Sequence, residues 1–133
     1  MIQPRLIRCI AAVLFAGAIA NTAHAATPAE LQTAYTALSN TTAVPDRGRQ
    51  LFTSRHGREW SCSSCHGEVP TQPGRHASTG KPIAALAPAI NPQRFTDATK
   101  TETWFRRNCN DVVGRECTAA EKADVIAWLR TLP

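Results

Sequence analysis

Apolar positions recur at helical spacing along this chain, and no segment sustains the two-residue alternation of β-branched side chains that marks a strand. Leu31, Tyr35 and Leu38 share one face of a helix that starts at Thr27, with Pro28 in its first turn and Glu30 three residues after the cap. Ser39 to Thr42 is a polar break. A second helix starts near Pro45 and Asp46 and carries Leu51 and Phe52. From His56 to Pro92 the chain is rich in Gly, Pro, Ser and Thr, which predicts mostly loop. Asp97 to Arg107 is predicted helical around Trp104 and Phe105, and Asn108 to Glu116, containing Gly114, is predicted to be loop. Thr118-Ala119-Ala120-Glu121 is a capping box, followed by an apolar stripe of Val125, Ile126, Leu129 and Leu132. The pattern predicts an all-α fold with no internal repeat and no linker long enough to separate two domains.

The first 25 residues follow a different pattern. Arg5 and Arg8 precede the apolar run Cys9 to Ala20, and Ala23-His24-Ala25 offers small residues at a cleavage point. This predicts a secretory signal peptide over residues 1–25, one domain over 26–133, and export to the periplasm. The run is shorter than the roughly 20 residues of a membrane-spanning helix. A retained N-terminal anchor is the competing reading. A lipid anchor through Cys9 fits poorly, because Cys9 opens the apolar run instead of following it. Cleavage after Ala25 removes Cys9 and Met1, the single methionine. Cys62, Cys65, Cys109 and Cys117 remain, in an oxidising compartment that favours disulfides.

Composition sharpens this picture at two points. Apolar residues make up 43% and charged residues 19%, enough for one small core and contrary to a disordered chain. Aromatics are few, at 6%, and a small domain so constituted often relies on a staple or a prosthetic group for further burial. The formal charge of +5 comes from 15 basic and 10 acidic side chains with no run of like charge, which speaks against a nucleic-acid arm.

The chemistry is concentrated in Cys62-Ser63-Ser64-Cys65-His66, the C-x-x-C-H sequence that attaches c-type haem. Two thiols one helical turn apart match the separation of the two haem vinyl groups, across which they add as thioethers. The adjacent His66 places an imidazole as the proximal iron ligand. One covalent haem c is therefore the expected cofactor. Three other readings compete with it. A thioredoxin-like dithiol wants C-x-x-C after a strand in a βαβ unit, and this chain reads as helical. A zinc site from Cys62, Cys65, Cys109 and Cys117 is opposed by the long separation between the pairs and by the compartment. The third is chance.

The second axial position is the informative one. Electron-transfer cytochromes c commonly place methionine there, and with Met1 removed no thioether is left. The side chains that remain are His56, His76, the amides, Tyr35, Lys81, Lys100, Lys122 and the other cysteines. His56 and His76 also read simply as exposed loop histidines. Cys109 and Cys117 are close in sequence across Gly114, and a disulfide is their default in an exported protein. Closing a loop of about nine residues is worth roughly 2–3 kcal/mol in the chain-entropy picture. It would also hold the segment around Asn108 rigid.

With these residues in view, the sequence resembles a known family. The haem motif, Gly48, Leu51 and Phe52 before it, and the last helix carrying Trp128 resemble class I cytochromes c. Thr79-Gly80-Lys81, the run from Leu86 to Asp97, Arg107-Asn108-Cys109-Asn110, Gly114-Arg115-Glu116-Cys117 and the run from Glu121 to Leu129 resemble a narrower group, the oxygen-binding, asparagine-ligated cytochromes c called SHP. The resemblance implies a small helical domain wrapped around one covalently attached haem. It implies Cys62 and Cys65 as thioether residues, His66 as proximal ligand, Asn108 as distal ligand and a Cys109–Cys117 disulfide. Asn110 is the rival amide, and Asn108 also reads as a helix C-cap.

A carboxamide is a hard, neutral ligand that suits ferric iron better than ferrous. The resemblance implies that reduction releases it and opens a site for oxygen, nitric oxide or a similar diatomic. It also implies an electron-donating dihaem cytochrome c and a membrane cytochrome b upstream. Both a ligand-binding protein and a terminal reductase or dioxygenase fit this pattern. The reading from a different class is a plain electron carrier with a histidine, His56 or His76, as sixth ligand. Arg106 and Arg107, next to the site, read either as contacts to propionates or an acidic partner, or as a solvated helix face.

Overall fold

Two capping boxes frame the domain. In the computed structural model, which describes residues 25–133, Glu30 N donates to Thr27 Oγ1 (3.2 Å) while Thr27 N donates to Glu30 Oε2 (2.7 Å). This starts α1, Pro28–Ser39, which ends at Asn40 in the left-handed conformation (φ 52°). The same reciprocal pair at Thr118 and Glu121 starts α5, Ala119–Leu129. The export signal assigned to residues 1–25 lies, apart from Ala25, outside the described residues.

Between them run α2 (Pro45–Thr53), the single turn α3 (Ser63–His66), β1 (Gly74–Arg75) paired antiparallel with β2 (Pro82–Ile83), and α4 (Ala98–Val112). The fold is all-α in substance, as the periodicity predicts. The two-residue strands are the exception within the segment predicted as loop; Gly74 pairs with Ile83 and Arg75 with Pro82. A second difference lies in α4. Asn108 to Val112 was predicted as loop, yet these residues continue the helix. Asn and Asp favour turns in isolation, but here Val113 N and Gly114 N both donate to Cys109 O (2.7 and 3.0 Å), and Gly114 at φ 84° makes the reversal. Asn108 is therefore not a helix C-cap; Val113 holds that position.

The last helix is the centre of the molecule. Lys122 to Leu129 are buried without interruption, a wider burial than the single stripe predicted, because α1 and α2 cover it from two sides. From α1, Leu31 and Tyr35 meet Ala123 and Ile126. From α2, Phe52 meets Val125, Trp128 and Leu129, with the Phe52 and Trp128 ring centroids 5.0 Å apart. Phe95 and Phe105 pack against both groups and join them. The α2–α5 crossing is close enough that a Cβ on Gly48 would lie 2.1 Å from the Asp124 carbonyl oxygen, so only glycine fits.

Polar groups inside this contact are matched. Val44, the N-cap of α2, has no capping side chain; its N–H donates instead to Asp124 Oδ1 (2.6 Å) on α5. Arg47 donates to both oxygens of the same carboxylate (2.7 and 3.0 Å). Lys122 and Tyr35 share Glu102: Lys122 Nζ donates to Oε1 (2.6 Å) and Tyr35 OH to Oε2 (2.8 Å), which ties α5 and α1 to α4.

Candidate functional site

The C-x-x-C-H segment folds as one turn. Cys65 N and His66 N both approach Cys62 O (3.3 and 3.2 Å), and Gly67 at φ 77° ends the turn at once. This places Cys62, Cys65 and His66 on a single short helical element. Both thiols are unbonded and half-buried. The two residues between them hold the turn in place: Ser61, itself buried, hydrogen-bonds through its hydroxyl with Ser63 Oγ (2.7 Å) and Ser64 Oγ (3.1 Å), and its N–H donates to Ser64 Oγ (3.0 Å).

The strand hairpin closes the other side. A Cβ on Gly74 would stand 2.0 Å from the Cys65 carbonyl oxygen and 3.0 Å from His66 Cα, so β1 can approach the turn only through glycine. Ala77 N donates to Cys65 Sγ (3.2 Å). Sequence reading passes over Ser61, Gly74 and Ala77. Pro73-Gly74 signals a turn, but nothing local says which element that turn will touch.

The electrostatics of the turn suit covalent attachment and iron ligation. Burial pushes the Cys62 thiol up to about 11, opposite in direction to the lowered value of an activated thiolate. Burial, helped by the positive charge of Arg94, pushes His66 down to about 4 and keeps its imidazole neutral, the form that ligates metals. Its ring rests against Phe52, with centroids 6.0 Å apart. Cys62 itself packs on the Phe52, Val125, Trp128 and Leu129 cluster. Two free thiols, one neutral imidazole and an apolar wall are the donor set and surroundings that a thioether-linked haem needs, and the residues present fit that group.

The residues named as possible second ligands separate clearly. The His56 Nε2–H donates to Leu51 O (2.8 Å) at the end of α2. His76 Nδ1 accepts from Ser78 Oγ (3.1 Å) and Thr79 N (3.4 Å), holding the hairpin turn. Tyr35 and Lys122 are engaged with Glu102, and Lys81 and Lys100 are exposed. Cys109 and Cys117 are joined in a disulfide, with Cα atoms 5.6 Å apart, which removes them from the four-cysteine zinc arrangement. No group of three His, Cys, Asp or Glu side chains stands ready for a metal ion among the described residues. Asn110 Nδ2 donates to Arg106 O (2.7 Å) on its own helix. Asn108 lies one residue before the disulfide on the same helix, is exposed, and has no hydrogen-bond partner for its carboxamide among the described residues.

The segment carrying Asn108 is braced by the disulfide. The disulfide ties the last turn of α4 to the start of α5. At Gly114 the guanidinium of Arg58 lies so near that a Cβ would meet its Nε at 2.8 Å, so this loop passes beside the residues leading into Cys62. Arg106 and Arg107 are exposed, Arg107 lying 5.8 Å from the centre of the Trp104 ring.

Comparisons with known proteins bear on this arrangement. A family model described as a domain of unknown function, DUF1924, matches residues 38–129. Cytochrome c-type protein SHP of Cereibacter sphaeroides is 48% identical over 106 residues, covering 77% of this chain and 81% of that protein. The structure of oxidised SHP, described as an oxygen-binding cytochrome c, superimposes with a TM-score of 0.76 at 46% identity, covering 80% of this chain and 98% of that one. The crystal structure of oxidised cytochrome c'' from Methylophilus methylotrophus gives 0.71 at 34% identity, covering 80% and 94%.

Proposed function

The chain belongs to the SHP family of cytochromes c and carries covalently attached haem c, and from this we propose that it is a periplasmic haem protein whose distal site opens on reduction to admit oxygen, nitric oxide or a similar diatomic. Cys62 and Cys65 hold the haem as thioethers, and His66 is its proximal ligand. The haem supplies an iron that changes between ferric and ferrous states and offers one face to a second ligand. In the ferric protein Asn108 would be the residue offered to that face through its carboxamide oxygen. This hard, neutral donor suits ferric iron better than ferrous, so reduction by a donor cytochrome would loosen it. The disulfide keeps the backbone at Asn108 in place, so that the side chain, not the helix, would move.

The observation that carries this reading is the free carboxamide of Asn108, set on a disulfide-braced helix while Asn110, His56, His76, Tyr35 and Lys122 are all engaged elsewhere. A histidine-ligated electron carrier would require His56 or His76 to abandon bonds that hold the end of α2 and the hairpin. The absorption spectrum of the reduced protein separates the two functions. We expect a high-spin ferrous haem that binds carbon monoxide rapidly. A low-spin ferrous haem that ignores carbon monoxide would establish the electron carrier instead.

A further inference from the structure

The helix that carries Asn108 is held by a narrow contact. Of the fifteen residues of α4, Thr101 and Cys109 are the buried ones, and Phe105, midway between them, is half-buried against both core groups. These three recur every fourth residue and form one stripe turned toward the frame. A helix usually buries a face roughly 100° wide, and a stripe narrower than that leaves a roll of α4 about its own axis weakly opposed. Glu102 and Asn108 stand three residues before and three residues after Phe105. At 3.6 residues per turn this sets them roughly 60° to either side of the stripe. A roll that displaces one therefore displaces the other.

Glu102 is the point at which the frame opposes that roll. Lys122 Nζ donates to its Oε1 (2.6 Å) and Tyr35 OH to its Oε2 (2.8 Å), so each carboxylate oxygen is held by a different helix. The Lys122 side chain is only 9% exposed, and its ammonium lies 5.5 Å from the centre of the Tyr35 ring. A buried cation that loses its partner is strongly destabilising, so Glu102 is kept at Lys122 although half of its own side chain is exposed. The Tyr35 ring also meets Phe105 edge-on, with centroids 6.0 Å apart, which closes the contact around the stripe. Asn108 thus lies between two fastenings of α4, the Glu102 carboxylate and the Cys109 disulfide.

We propose that the Glu102–Lys122–Tyr35 cluster is the positioning device of the distal site, fixing the roll of α4 and with it the direction in which Asn108 is presented. Glu102 is a positioning residue that acts through Asn108. The inference rests on the reading above, in which the Asn108 carboxamide is the ferric ligand. With the cluster intact the carboxamide is offered in one direction. Without it α4 samples several rolls, and the ferric iron is more often left to another ligand.

Lys122→Met tests this. It removes the ammonium, fills its place with an apolar chain and releases Glu102 to water, a change that a folded domain tolerates. The oxidised holoprotein should gain a partial high-spin component and take up azide faster than the wild type by roughly threefold or more, the scale of coupling within one hydrogen-bonded network. Its reduced spectrum should stay that of the wild type. The same substitution made in Asn108→Ala should change neither the ferric spectrum nor the azide rate further. A purely structural role predicts a lower melting temperature with azide uptake unchanged, or changed equally in both backgrounds, and either result would overturn the proposal. If Lys122→Met does not accumulate as holoprotein, Tyr35→Phe, which removes one of the two bonds to Glu102 and leaves the ion pair, carries the test with the same criteria. Asn108→Ala alone reports on the underlying reading: a ferric spectrum unchanged by it would refute the ligand assignment, and this inference with it, whereas a changed one with an inert cluster refutes this inference alone.

Discussion

Single side chains decide the chemistry here, and their environments, not their identities alone, distinguish the readings. A C-x-x-C pair is ambiguous by composition, but the following His66 and the burial that raises the Cys62 thiol to about 11, away from the depressed range of an activated redox thiol, set this one apart. Replacing both Cys62 and Cys65 by alanine should abolish covalent haem, and each single change should weaken attachment. Haem staining after denaturing electrophoresis measures this directly, and stain persisting in the double variant would refute the assignment. Glu121 gives a prediction of another kind. Arg115 bonds both its oxygens (2.8 and 2.6 Å), and with the Thr118 amide and hydroxyl this holds its carboxyl down to about 2 against an ordinary 4.5. A depressed folded-state pKa contributes stability that is present above 4.5 and lost as pH falls toward 2. The melting temperature of the wild type should therefore fall more steeply than that of Glu121→Gln between those two values. Parallel curves would show that the pair contributes nothing.

At the scale of helices, what the sequence states locally is reproduced and what depends on distant partners is not. Thr27 and Thr118 announce their helices because a capping box is complete within four residues. The start of α2 is legible in Pro45, but its cap comes from Asp124 on α5, for which no local pattern exists. The final turn of α4 reads as loop because Asn108, Asn110 and Asp111 favour turns, whereas the Cys109 disulfide and the Gly114 reversal carry the helix through them. Gly48 looks like a weak point in a short helix until the crossing with α5 is seen. Alanine there raises helix propensity by about 1 kcal/mol but sets a methyl group 2.1 Å from a backbone oxygen. Overpacking of this kind costs about 3 kcal/mol or more. We expect Gly48→Ala to lower the melting temperature by roughly 8–16 °C, a net loss of about 2 kcal/mol at roughly 4–8 °C per kcal/mol for a domain of this size. A melting temperature within 2 °C of the wild type would mean that the two helices separate freely at this point.

At the scale of the molecule, a three-helix contact of α1, α2 and α5 forms a frame, and the haem-binding turn and the Asn108 segment are attached to it from opposite ends of the sequence. The haem-attachment motif is legible in five consecutive residues, Cys62 to His66. A distal ligand is not readable from local pattern, because a lone asparagine carries no signature; the family resemblance implies Asn108, and among the described residues Asn110 is bonded to Arg106 O while the Asn108 carboxamide has no partner. On the proposed function, this separation of roles would let the site change with redox state without disturbing the fold, because neither the frame nor the disulfide depends on the Asn108 carboxamide. The measurement that tests this most directly is the absorption spectrum of Asn108→Ala in both oxidation states. The account predicts a ferric spectrum shifted toward high spin, faster uptake of azide or cyanide by the oxidised protein, and a ferrous spectrum close to that of the wild type. A ferric spectrum unchanged in Asn108→Ala but altered in His56→Ala or His76→Ala would contradict it.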